Sequence, residues 1–377
     1  MDATTREQST RPLGVIGCLT AGFEVLSRNL GLMVLPVLLD LLLWLGPQLS
    51  VALLVRQFDA LMMMQPVPDP TTARQVEQAV QLLKLFGEQF NLLSLLSVLP
   101  LLNVPSLLAQ RVPGILSPLG ESPVLWVKNG FALVGWGMVL VPVGLVLGFI
   151  YLNSLARRVC ATRALDGQKL ASDRPRGTLG ANRESAVDEP FPSLNETSVA
   201  EGPVLSAGGG STVEESEQSA REISGVGKFL RVFLFALGLL MAVMVLAPLW
   251  MLLVGALLTV AQPLGVLVWA LSIGFVGYIA LHLLFVVPGV LLGGRGLLRA
   301  IWESIILMHT QFPAVVGLVV LVVVIYQGLG YVWSLPVAGS WSLLVGILGN
   351  SCIGTGLTAA TFVFYQERVP AGAVGHR

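Results

Sequence analysis

Charge is what this chain has least of. Only 12% of its 377 residues are charged, against roughly 25% in an average soluble domain, and acids and bases balance to a net charge of zero. That balance offers no general attraction for nucleic acid, which is not expected as a partner. Histidine is scarce as well: His282, His309 and His376 are too few for an active site built on histidine clusters. Cys18, Cys160 and Cys352 lie far apart, in no CxxC or Cys/His spacing, so free thiols are expected and neither a metal nor another cofactor. HExxH, GxSxG and nucleotide-binding fingerprints are missing too, and no two acids share an apolar stretch, so the chain is not expected to be an enzyme. The start, MDATTREQSTRPLG, is polar, and Glu24 and Arg28 break the first apolar stretch, which is unlike a signal peptide.

What the chain has in abundance is apolar length. Hydrophobic residues make up 54% of it, and the mean hydropathy is +0.79, so the bilayer is its solvent. The pattern predicts an all-α, polytopic integral membrane protein with six transmembrane helices, over about 31–55, 130–155, 232–253, 263–292, 313–332 and 341–365. Two amphipathic elbow helices each turn into a span: 13–30 before the first, and 293–311 before the fifth. Gly17, Ala21, Phe23 and Glu24 of the first fall in the same relative places as Gly296, Ala300, Trp302 and Glu303 of the second, a weak internal repeat.

Three domains follow. Residues 1–160 form a first membrane half with an elbow, two spans and an outer amphipathic lid over 57–128. Residues 161–227, rich in Ser, Gly, Glu and Pro, read as a disordered cytoplasmic linker. Residues 228–377 form a second half with four spans. Within the lid, 72–93 reads as an amphipathic helix. The apolar run 91–109, interrupted by Pro100, Asn103 and Pro105, reads as interfacial or re-entrant because a full crossing would strand broken backbone in lipid. Cations flank the N-terminus, the linker, 293–299 and the C-terminus, which puts both termini on the cytoplasmic side. Trp333 and Trp341 then fall at an outer aromatic belt.

Asp40 is the one acid placed inside a span, and burying it costs about 2.5–3.5 kcal/mol on insertion scales. His282, at a similar depth in the fourth span, is its candidate partner in an intramembrane polar pair. The competing reading leaves Asp40 protonated, or bonded to hydroxyls or a backbone carbonyl, with His282 packed. Glu24, Arg28, Arg295, Arg299 and Glu303 are candidate headgroup or partner contacts on the elbows. Glu24 with Arg28, and Arg299 with Glu303, also have the spacing of surface ion pairs. Gly293, Gly294, Arg295 and Gly296 read as a hinge rather than a phosphate loop, since no Lys-Ser/Thr ending follows. Gly144 and Gly148 in the second span have the spacing of a close helix contact. The last span combines Asn350, Ser351, Thr355, Thr358 and Thr361 with glycines, giving either a tight contact face or the wall of a polar path.

The elbow pattern G-x-x-x-A-x-(F/W)-E, a proline early in the next span and the closing AATFVFYQER resemble a group of bacterial six-span membrane proteins. These are similar to the membrane domain attached to some glycerophosphodiester phosphodiesterases and to the YciC-like inner-membrane family. The resemblance implies a helical membrane fold and carries no functional residues. The expectation is a non-enzymatic, permease-like or lipid-handling component, with membrane lipids and a cytoplasmic protein as partners. A scaffold or assembly factor is the alternative.

Overall fold

In the computed structural model the last helix is the mast on which the other elements are hung. The structure describes residues 12–64, much of 77–109, 118–172 and 210–369, apart from isolated positions inside these ranges. In chain order it comprises α1 (Val15–Arg28), a 3-10 turn (Leu30–Met33), α2 (Val34–Leu45), β1 (Gln48–Ser50), α3 (Ala52–Met63), a second 3-10 turn (Leu92–Leu96) and β2 (Val124–Trp126). Then come α4 (Gly130–Ser172), α5 (Gly210–Val260), α6 (Gln262–Leu283), α7 (Val286–Gly293), α8 (Leu297–Thr310), α9 (Phe312–Trp333) and α10 (Leu343–Arg368). Two compact units result: Met1–Cys160 with Lys228–Arg377, and Ala161–Gly227. In the second unit, 161–172 and 210–227 are helical, and the rest of the linker expected over 161–227 lies outside the described residues. Of the helix expected over 72–93, the positions described between 77 and 87 are helical, while 92–93 belong to the second 3-10 turn.

Five helices are long and apolar enough to cross a membrane: Gly130–Leu165, Gly225–Val260, Gln262–Gly293, Phe312–Trp333 and Leu343–Arg368. The elbow Val15–Arg28 and the segment Leu30–Leu45, bent by 94°, make a sixth when taken as one broken span. This first crossing is shorter than expected. Its helix stops at Leu45 because Gly46 turns extended ahead of Pro47, a position that disfavours helix. From Leu30 it covers only about 24 Å, less than the ~30 Å of a hydrocarbon core. The chain then forms β1, which pairs in parallel with β2, Gln48 opposite Val124. The Gln262–Gly293 span is broken after Leu283 because Pro288 has no N–H for the carbonyl of Leu284. It ends at Gly294, whose φ of 60° gives a left-handed cap where Lys228 and Arg231 reach the carbonyls of Leu291 and Gly294.

Small residues let α10 be approached from three sides. A Cβ on Gly22 of α1 would lie 2.4 Å from the nitrogen of Ala360, and one on Gly356 would lie 2.5 Å from the Phe23 ring. The Trp333 indole covers Gly349. From α4 the Tyr151 hydroxyl donates to Thr355 Oγ1 at 3.2 Å. Trp44 at the end of α2 meets Trp341 edge-on at 5.7 Å, so α2 and α10 reach the same end of the unit. The other surface is apolar and outward: only 11% of the most apolar stretch of α5 is buried, as a lipid-facing helix requires.

Candidate functional site

Of the expected lid, the described part of 91–109 is largely buried. Between Asn91 and Ala109 the chain leaves regular helix, yet Leu92, Leu96, Leu99, Leu102, Val104, Ser106, Leu107 and Leu108 are all buried. Asn91 opens the segment by accepting N–H bonds from Leu49 at 3.0 Å and Leu93 at 3.1 Å. The glycine pair of α4 is its socket. A Cβ on Gly144 would meet the Leu95 carbonyl at 2.8 Å, and one on Gly148 the Leu102 carbonyl at 2.3 Å. That spacing therefore receives an irregular chain rather than a second helix. On the other side Pro105 lies against Gly354, where a Cβ would come within 2.4 Å. Gly354 is about 17 Å along α10 from Leu343, roughly halfway through a hydrocarbon core. Whichever of the two expected arrangements it has relative to the bilayer, its broken backbone is held inside protein, between α4 and α10, where its polar groups find partners.

Asp40 supplies several of those partners. Its fully buried carboxylate accepts the Ser106 hydroxyl at 2.5 Å, the Leu107 N–H at 2.9 Å and the Leu108 N–H at 3.1 Å. Ser106 Oγ then accepts the Ala109 N–H at 3.1 Å. The acid in the span thus caps the turn over residues 106–109. It bonds a hydroxyl and backbone N–H groups, not the carbonyl weighed from sequence, since a carboxylate only accepts.

His282 is bonded elsewhere, and no bond joins it to Asp40. Its Nδ1 lies 2.8 Å from the Tyr278 carbonyl, its own carbonyl accepts from Ser304 Oγ, and its ring packs on His309 at 5.3 Å. These contacts tie the break after α6 to the second elbow, α8. The expected intramembrane pair separates into two unrelated structural anchors. Sequence distance along each span suggested similar depth, but Asp40 is taken up by residues 106–108 while His282 stands at the break after α6, against α8.

The elbow charges differ from one another. Glu24 and Arg28 pair at 2.6 Å on an open face of α1. Glu303 is buried, bonded by Arg295, by Arg299 at 3.2 Å and by the Tyr365 hydroxyl at 3.1 Å. Arg295 is likewise mostly buried, so of the second elbow's charges Arg299 alone is substantially exposed. The repeat shows why. Both elbows are 14 residues long, and Gly14 and Gly296 stand at their caps. Aligned by the caps, buried Cys18, Gly22, Val25 and Leu26 match buried Ala300, Ser304, Leu307 and Met308. The sequence match had paired Gly296 with Gly17. A shift of three residues turns a helix face by about 60°, enough to carry Glu24 to the surface while Glu303 faces inward.

The closing AATFVFYQER holds both elbows. Tyr365 binds Glu303, while Arg368 Nη2 donates to the Leu13 carbonyl at 3.0 Å and its guanidinium lies 3.6 Å over the Phe364 ring. Glu367 accepts the Leu13 N–H at 3.4 Å.

Between α5, α6, α9, α10 and the irregular segment lies a cavity of about 1480 Å³. Its wall is apolar, with Leu246, Trp250, Phe275 and Phe362 among its larger faces, and no acid, base or histidine lines it. Thr358 and Thr361 of α10 and Asn103 of the irregular segment are among its few polar side chains. The last span is therefore both of the things its composition allowed: Gly349, Gly354 and Gly356 are contacts, and the two threonines line a space. Sequence gave no sign of the cavity, because its walls come from segments far apart in the chain.

These features define an all-α polytopic integral membrane protein with an irregular segment packed among its helices and an apolar cavity beside it. Comparison with protein-family models, with curated proteins and with solved structures finds no match.

Proposed function

We propose that this protein is a non-enzymatic lipid-handling component of the bacterial inner membrane, which holds a lipid in the cavity beside its irregular segment. The observation that carries this reading is the cavity: about 1480 Å³, uncharged, at membrane depth and bounded by helices whose outer faces are themselves apolar. That volume exceeds the roughly 300–1,000 Å³ of ordinary small-molecule pockets and suits an extended hydrocarbon ligand. Orientation has its own support. Lys228 and Arg231 bond carbonyls of Leu291 and Gly294, Arg295 and Arg299 bond Glu303 of the second elbow, and Arg368 at the end of α10 bonds Leu13 ahead of the first, so these cations gather around the two elbows. The positive-inside rule assigns that end, and with it both termini, to the cytoplasm.

Native mass spectrometry of the gently extracted full chain tests the proposal. A lipid retained at unit stoichiometry is expected, and Ala242→Phe with Ala280→Phe, both on the cavity wall, is expected to displace it. Retention unaffected by the filled cavity would refute the reading. A stoichiometric protein partner with no bound lipid would favour a scaffold instead.

A further inference from the structure

We infer that the cavity selects a lipid whose buried end is uncharged and forms hydrogen bonds, an ester carbonyl or free hydroxyl as in a diacylglycerol, and that Asn103 is the selecting residue. This rests on the lipid-handling reading above. Three of the polar side chains on the wall are already engaged. Ser272 Oγ donates to the Val268 carbonyl at 2.5 Å and accepts the Trp250 indole N–H at 3.0 Å. Thr358 and Thr361 donate to the carbonyls of Gly354 at 2.8 Å and Leu357 at 3.1 Å, leaving only acceptor lone pairs.

Asn103 is different. It is exposed on the cavity wall and has no hydrogen-bond partner among the described residues, so its amide offers both donors and an acceptor. A bare amide facing hydrocarbon is costly, and a ligand carbonyl or hydroxyl removes that cost. Its position is fixed from both sides: Leu102 sits on Gly148, Pro105 sits on Gly354, and Asp40 anchors the chain at residues 106–108. Thr358 stands one helical turn beyond Gly354, so acceptors on α10 lie along the same stretch of wall. A phosphate buried here would meet no cation, because no lining residue carries charge. The chemistry favours an uncharged end, with alkyl chains along the wall of α5 and α6.

The test uses the full chain in lipid nanodiscs with photo-crosslinking analogues of dioleoylglycerol, of the phosphatidic acid with the same chains, and of hexadecane, with labelled peptides read by mass spectrometry. Labelling of the cavity wall by the diacylglycerol is expected to exceed that by phosphatidic acid at least tenfold. Asn103→Leu is expected to lower diacylglycerol labelling about tenfold, the equivalent of one net hydrogen bond, while the hexadecane probe is unaffected and Asn103→Gln retains most of the preference. Should Asn103→Leu also lose the hexadecane label, the smaller Asn103→Ser takes its place. Equal labelling by the two lipids, or a preference that survives loss of the amide, overturns the inference and leaves the lipid reading standing. Wall residues labelled by none of the three probes would overturn the lipid reading itself.

Discussion

Replacing Asp40 by alanine is expected to free the irregular segment while the helices around it stay folded. The carboxylate accepts at least three bonds from that segment, from Ser106 Oγ and the N–H groups of Leu107 and Leu108. Bonds to a charged acceptor contribute about 1.5–3 kcal/mol each, and donors left buried without a partner add their own penalty. Part of this is recovered because a released segment meets water and regains chain entropy, which leaves a net loss of about 3–5 kcal/mol. At about 1.4 kcal/mol per factor of ten, the open fraction rises by about two to three and a half orders of magnitude. Ser97, 1% exposed, is the reporter. In a Cys160→Ser background, a cysteine at position 97 is expected to resist a membrane-permeant maleimide until Asp40→Ala is added. Asp40→Asn keeps an acceptor oxygen but turns an NH2 towards one of the N–H donors, so its labelling should fall between the two. His282→Leu should leave labelling unchanged, since the His282 ring bonds within α6 and packs on His309 of α8. Unchanged labelling in Asp40→Ala, or an asparagine variant worse than alanine, would show that the carboxylate does not hold the segment.

Two further predictions concern packing and the elbow. Gly148→Leu puts a side chain where the Leu102 carbonyl lies, and in the same maleimide assay it should expose position 97 even with Asp40 intact. Glu303→Leu strands the buried Arg295 at a cost of about 3–5 kcal/mol, whereas Tyr365→Phe removes one bond at about 1–2 kcal/mol. Thermal unfolding in detergent should rank the two variants in that order, and the reverse order would mean that the ion pair is not what fixes the second elbow.

Much of the architecture was legible because it is local. An apolar run long enough to span, a polar start and a paired Glu24 and Arg28 are properties of neighbouring residues, and helical periodicity exposes them directly. The breaks were written there as well, in Gly46 with Pro47 and in Pro288, but their effect competes with long apolar runs that favour continuation. Interruptions at Asn103 and Pro105 correctly ruled out an ordinary crossing for 91–109. Composition could not choose between lying on the membrane and entering it, because that depends on whether other helices offer a socket.

By itself, the sequence determined the solvent, the helical class, the two elbows and the places where helix had to stop, since each follows from side-chain chemistry acting within a few residues. Only the tertiary structure decided that Gly144, Gly148 and Gly354 receive an irregular chain, that Asp40 caps it, and that Glu303 is buried while Glu24 is not. Those outcomes rest on close approach between segments far apart in the chain. A face turned by about 60° or a helix shortened by a few residues changes such contacts without changing any local pattern.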